Sequence, residues 1–217
     1  MGLQGEFAFA GIIALAADGD GDGVYDAGEP YYDLNGDGRP DIIVANRSSN
    51  PAKPVPCFVC LNDGKGGFPN EIPLPTQSAT IIIAADLDGD GKIDLVVPHR
   101  DGGQSLIFWN DGTGKFSAAP VPVGPKESNV RAAVAADIDG DADLDLFVGF
   151  NGTPNRLYRN DRGVFTDVAS TAGVADARAT RAAAFGDFDG DGDAAETKAR
   201  QHITEAASFI ISRLINT

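Results

Sequence analysis

An acidic run of the form D-x-[DN]-G-D recurs along the chain at nearly constant spacing. It appears as DLNGDGRPD from Asp33, DLDGDGKID from Asp86, DIDGDADLD from Asp137 and the shortened DFDGDGD from Asp187. The steps between the first aspartates are 53, 51 and 50 residues. A period of this length marks a repeat architecture, in which one supersecondary unit cannot bury its apolar face alone and stacks on its neighbours. A second motif follows each of the first three runs: CFVCLNDGKGGF, SLIFWNDGTGKF and NRLYRNDRGVF, ending at Phe68, Phe116 and Phe165. Each reads as an apolar strand, an Asn-Asp turn with glycine, and an aromatic that opens the next strand, which is hairpin chemistry.

One repeat can therefore be written out. A short apolar strand, such as TIIIAA (Thr80 to Ala85) or VRAAVAA (Val130 to Ala136), leads into the acidic loop. A second strand, IDLVVPH or LDLFVGF, leaves it. A third ends at the Asn-Asp turn and a fourth follows the phenylalanine. Four antiparallel strands in about 50 residues make one propeller blade. Helices are a poor reading of these segments, because Gly, Pro and Asp interrupt them too often. GIIALAAD (Gly11 to Asp18) matches ATIIIAAD and is read as the inner strand of a first blade. The expected fold is all-β: a partial, open β-propeller of three full blades (about 11–78, 79–128 and 129–178) and the start of a fourth (179–193). Residues 194–217 are a C-terminal tail foreign to the repeat.

The densest acidic stretch, DGDGDGVYDAGEPYYDLNGDGRPD from Asp18 to Asp41, has only Arg39 as a basic residue. Asp18, Asp20, Asp22, Asp26 and Glu29 occupy positions 1, 3, 5, 9 and 12 of a loop with Gly23 at position 6, and the carbonyl of Val24 falls at position 7. That is the spacing of a twelve-residue calcium loop, where alternate side chains surround one centre and glycine permits the sharp turn. Asp33, Asn35, Asp37, Gly38 and Asp41 repeat positions 1, 3, 5, 6 and 9, with Arg39 at the carbonyl position. The alternative is a solvated acidic loop, but a chance run would not keep this register twice. Twenty-one of the 32 acidic residues lie in these four regions, so the net charge of −15 reads as an inventory of metal ligands. The same charge disfavours nucleic acid and anionic membranes as partners.

The loops, the period and the N-D-G-x-G-x-F turns together resemble the FG-GAP/VCBS repeats of integrin-alpha-type β-propellers, over roughly Gly11 to Asp193. The resemblance implies a calcium-stabilised propeller, most often in secreted or surface proteins, and binding or adhesion more often than catalysis. It places further ligands at Asp86, Asp88, Asp90, the carbonyl of Lys92 and Asp94. In the next repeat it places them at Asp137, Asp139, Asp141, the carbonyl of Asp143 and Asp145. There Ala142 replaces the position-6 glycine, which would weaken that site if the turn needs positive φ. Asp187, Asp189 and Asp191 begin a fourth loop, but Ala195 stands at position 9, so a weak or empty site is expected. Three to five calcium ions follow in all.

The tail AAETKARQHITEAASFIISRLINT lacks Gly and Pro and places Ile203, Ala206, Ala207, Ile210 and Leu214 on one helical face. It reads as an amphipathic helix over 194–215, either an unrelated gene end or a cap over the last blade's open edge. Cys57 and Cys60 lack the strand-to-helix context of a redox motif and read as buried strand residues or a disulfide. FAFAGIIALAA has the apolar character of a signal h-region but is preceded by Glu6 and no Lys or Arg. No apolar run reaches the length of a membrane span. Neither His99 nor His202 has a nucleophile context, and no phosphate-cradling loop occurs. Trp109, Phe108 and Tyr158 read as packing between blades. The expected function is a non-catalytic, extracellular calcium-binding module for adhesion or recognition of a protein or carbohydrate ligand. An enzyme segment acting on polysaccharide or lipid, and a gene fragment without independent function, are the other readings. Three blades cannot close a ring, so further blades or self-association would be needed.

Overall fold

In a computed structural model of the 217-residue chain, residues 9–12, 32–47, 55–79 and 81–185 are described. They contain no helix. Twelve strands form three four-stranded antiparallel sheets. The first holds β1 (Phe9–Ile12), β2 (Ile42–Arg47), β3 (Pro56–Leu61) and β4 (Asn70–Gln77) in sequence order. The second holds β5 (Ile83–Ala85), β6 (Asp94–Val97), β7 (Gly103–Phe108) and β8 (Val121–Ser128). The third holds β9 (Val130–Ala136), β10 (Asp145–Phe150), β11 (Arg156–Asp161) and β12 (Val164–Asp167). Each is a simple meander, the strand order of a propeller-like blade.

The chain divides into two compact units, residues 1–85 with 91–127, and 86–90 with 128–217. In the first unit, two sheets share one core. Ile43, Ala45, Cys57, Val59 and Leu74 of the first sheet pack in one cluster with Leu95, Val97 and Phe108 of the second. All of these are essentially fully buried. Burial along β6 is continuous, because strands covered on both faces do not alternate. Arg47 at the end of β2 forks onto Asp101, its Nε and Nη2 donating at 2.8 and 2.9 Å. In the second unit, Leu157 of β11 packs with Ala169, Ala172 and Val174 from the segment after β12.

Several strands fall where periodicity places them. VRAAVAA is β9 from end to end, paired in register with β10 from Asp145↔Ala136 to Gly149↔Ala132. The Asn-Asp turns do close β3–β4 and β11–β12. Two details differ. Phe165 of β12 does open the fourth strand of the third sheet, paired with Asn160, but in the second repeat Phe116 makes only an isolated bridge to Asn110 and β8 starts at Val121. β8 itself carries Pro122 and Pro125, which its place at the edge of the sheet allows. The first inner strand is observed as Phe9–Ile12, two residues earlier than the pattern starts, and residues 13–18 lie outside the described set. The expected tail helix also lies outside it. No described helix is long and apolar enough to cross a membrane. Cys57 and Cys60 are both free and buried. Burial raises the pKa of each thiol.

Candidate metal centres

Each acidic loop joins the inner strand of a sheet to the second. In the third sheet, Asp137 at position 1 turns its carboxylate back into its own loop. Oδ1 accepts from the Gly140 N–H at 2.8 Å and Oδ2 from the Ala142 N–H at 2.9 Å. Asp33 does the same, accepting from Gly36, Asp37 and Gly38 at 2.8, 3.1 and 2.7 Å. In the 86–94 loop, Asp86 accepts from the Gly89 N–H at 2.8 Å. Position 6 has positive φ in all three: +78° at Gly38, +81° at Gly91 and +70° at Ala142. The alanine therefore sits in the left-handed region that strains any residue with a Cβ.

The last aspartate of each loop is different in kind. Asp41, Asp94 and Asp145 are 3%, 1% and 0% exposed. Each opens or directly precedes the second strand, and the carboxylates of Asp41 and Asp145 each bridge two separate pieces of backbone. Asp145 Oδ2 accepts from the Ile138 N–H at 2.9 Å and Oδ1 from the Asn160 N–H at 2.7 Å. Asp41 likewise accepts from Leu34 at 2.8 Å and Asn62 at 2.9 Å. Asp94 accepts from the Asn110 N–H at 2.8 Å. Burial outweighs these hydrogen bonds and pushes the Asp145 carboxyl up to about 6. Asp41 moves in the same direction for the same reason.

The partners of these aspartates are the asparagines of the Asn-Asp turns, which sequence reasoning assigned only to the hairpin. Asn160 is fully buried. Its Nδ2 donates to the Leu144 carbonyl at 3.1 Å and to the Leu87 carbonyl of the preceding loop at 2.7 Å. Asn110 repeats the arrangement, donating to Ile93 at 3.0 Å and to Leu34 of the preceding loop at 2.8 Å. Asn62 donates to Pro40 at 3.0 Å. Each turn is thus bolted to its own acidic loop, and the second and third turns also reach the loop one repeat earlier. The available signal was an asparagine recurring after each position-9 aspartate, at Asn62, Asn110 and Asn160.

Two loops gather three carboxylates. One oxygen each of Asp137, Asp139 and Asp145 lies within 4.8 Å of the others, and the same holds within the 86–94 loop for Asp86, Asp88 and Asp94. These are the only such groups among the described residues. In the third-sheet loop, Asp139 Oδ1 is buried without a hydrogen-bond partner. Burial, and then repulsion from Asp141, raise its pKa against the pull of Arg159. An unpartnered buried carboxylate oxygen beside two more carboxylates is costly unless a cation neutralises it. The donors are hard oxygens, the set calcium takes. Asp90 and Asp141 are not part of the three-carboxylate groups, and Asp141 Oδ1 accepts from the Asp143 N–H at 2.9 Å. The 33–41 loop forms no such group. Asp18, Asp20, Asp22, Val24, Asp26, Glu29, Asp187, Asp189 and Asp191 lie outside the described residues.

Meander sheets of four strands, each entered through an aspartate loop of this kind, define a class: propeller-like blades built from FG-GAP repeats. The chain matches the FG-GAP-like repeat family over residues 33–97, 86–148 and 143–194, and it belongs to that family. It is similar to cartilage acidic protein 1 of Mus musculus, 31% identical over 155 residues. The alignment covers 63% of this chain and 24% of that protein. The Homo sapiens protein of the same name is 30% identical over 63% of the chain and 23% of its own length. A T-cell immunomodulatory protein homolog of Plasmodium yoelii yoelii is 37% identical over 79 residues, 30% of this chain and 10% of that protein. The chain therefore spans about a quarter or less of the relatives it matches. No solved structure matches it significantly.

Proposed function

We infer that the chain is a non-catalytic, calcium-binding module of propeller-like blades that works outside the cell, in adhesion or in recognition of a protein or carbohydrate ligand. The observation that carries the calcium reading is the third-sheet loop, with three convergent carboxylates and the orphaned buried oxygen of Asp139. The ligands are Asp137, Asp139, Asp141, Asp145 and the Asp143 carbonyl, with the equivalent positions of the other loops. Bound calcium supplies positive charge that neutralises the carboxylates and ties the first strand of a blade to the second. Its role is structural. Sites of this type in extracellular modules bind at roughly 10⁻⁴ to 10⁻³ M, matched to millimolar calcium outside cells. The similarity to proteins named for cartilage and for T-cell modulation supports recognition rather than catalysis.

The test is thermal unfolding of the full chain in millimolar calcium, in magnesium and in excess chelator, with calcium retained by the protein measured by equilibrium dialysis against millimolar calcium. Retained calcium and a melting temperature lower by at least several degrees in chelator are expected. No retained calcium and an unchanged melt would overturn the reading.

A further inference from the structure

The three described loops share a pattern but not an electrostatic state. The odd positions of the 137–145 loop are five aspartates, whereas those of the 33–41 loop are three aspartates, one asparagine and one arginine. In the 33–41 loop the acceptors at positions 1, 3 and 5 are already satisfied from within. Asp33 takes three backbone N–H groups, and Asn35 Oδ1 takes the Asp37 N–H at 3.1 Å. Asp37 Oδ1 takes the Arg39 N–H at 3.1 Å, and Oδ2 takes Asn35 Nδ2 at 3.0 Å and Arg39 Nη1 at 2.9 Å. The arginine is aimed by packing as well as by charge. It crosses Gly64 of the Asn-Asp turn so closely that a Cβ there would lie 2.5 Å from Arg39 Nε. The third repeat inverts this contact. Asp143 stands where Arg39 does, Arg162 stands where Gly64 does, and the Arg162 N–H donates to Asp143 Oδ2 at 3.0 Å.

We propose that Arg39 is a resident counter-ion of the 33–41 loop: its guanidinium holds Asp37 in place of a divalent cation, so this loop keeps its shape at low calcium and binds the ion more weakly than the 137–145 loop. This rests on the calcium reading above and adds a ranking of the sites to it. Ligand charge count tunes affinity in oxygen cages. The guanidinium subtracts from that charge where calcium needs it, and Arg39 must be displaced from Asp37 for the carboxylate to turn to the metal. The pair is partly exposed, 47% at Arg39 and 28% at Asp37, which limits its strength. The left-handed strain at Ala142 belongs to the loop's own fold and so is common to the free and bound states; the effect is therefore a graded affinity, with calcium filling the acidic third loop before this one.

The experiment is calcium titration calorimetry on the full chain, comparing the natural sequence with Arg39→Gln, Arg39→Lys, Asp37→Asn and the double variant Asp37→Asn/Arg39→Gln. Denaturant unfolding in chelator is run on the same proteins. Arg39→Gln should tighten one of the weaker calcium-binding steps about three- to tenfold and lower the unfolding midpoint in chelator. Arg39→Lys, which keeps the charge, should stay near the natural protein. In the Asp37→Asn background the arginine change should no longer alter affinity. Unchanged or weaker binding by Arg39→Gln overturns the proposal, as does an effect that persists without the Asp37 carboxylate. If the natural chain takes up no calcium, the calcium reading itself fails. If it binds and Arg39→Gln does not differ, only the counter-ion falls.

Discussion

Asn160 offers the sharpest test of how the sheets are locked to their loops. Its side chain is fully buried and makes three hydrogen bonds: Nδ2 to the Leu87 carbonyl at 2.7 Å, Nδ2 to the Leu144 carbonyl at 3.1 Å, and Oδ1 from the Gly163 N–H at 2.8 Å. Replacing it with alanine leaves two carbonyls and one N–H short of a partner. At about 1 kcal/mol for each lost bond, with more where the stranded group stays dry, Asn160→Ala should cost about 3–4 kcal/mol. Asn160→Asp is nearly isosteric but chemically inverted. It keeps the acceptor for Gly163 and turns the donor into an oxygen facing two carbonyl oxygens. It also buries a second carboxylate beside Asp145. It should therefore cost more than alanine at pH 7. Its loss should shrink in acid, because the protonated side chain can again donate. The new carboxyl's folded pKa is raised, so the stability it contributes is complete below about pH 4 and vanishes as pH rises through that folded value. Urea unfolding at pH 4.5 and 7, read as a shift in midpoint at constant slope, measures both effects. An Asn160→Asp protein as stable as the parent at pH 7 would show that the turn is held by hairpin geometry alone.

Other expectations follow from the same loops. Ala142→Gly should stabilise the third loop by about 0.5–1 kcal/mol, since it removes a left-handed alanine, and Gly38→Ala should destabilise the first loop comparably; thermal melts of both in calcium check this. In chelator, the raised Asp145 carboxyl, at about 6 against an ordinary 3.8, favours the protonated fold. Its contribution of about 3 kcal/mol is therefore present below pH 4 and lost by about pH 6. Saturating calcium should reduce or reverse that slope, which urea titrations at four pH values would show. Cys57, fully buried with its thiol pKa raised by burial, should resist alkylation in the native protein, while two thiols per chain should react in denaturant; fewer than two would establish a disulfide.

Much of the sheet architecture was legible because strands and turns are local signals. VRAAVAA alternates too little for an exposed strand, is flanked by Asn129 and Asp137, and became β9 in full. The N-D-G turns announce hairpins because glycine there adopts positive φ, as Gly64 and Gly112 do. Less legible was the division of labour within the acidic loops. Spacing alone makes Asp33, Asp37 and Asp41 equivalent ligands. In the fold, Asp41 is buried and bridges Leu34 to Asn62, while Asp37 faces Arg39. Nothing in a pattern of aspartates separates these roles, because they depend on which backbone amides lie opposite.

What the amino-acid order determined is therefore the repeat: its period, its strands, its turns, and the placing of carboxylates at alternate positions where a loop must curl around one centre. Those are consequences of neighbours along the chain. Burial was decided elsewhere. Only packing brings Asn160 against Leu87 and Asn110 against Leu34, groups separated by 73 and 76 residues, and only there does an amide become a structural bolt. Tertiary contact also set the charge state of each loop, by laying Arg39 across Gly64 onto one carboxylate and leaving Asp139 with an oxygen that no donor reaches. A one-dimensional pattern names the oxygens, but the three-dimensional placement of donors around them decides which remain for a cation.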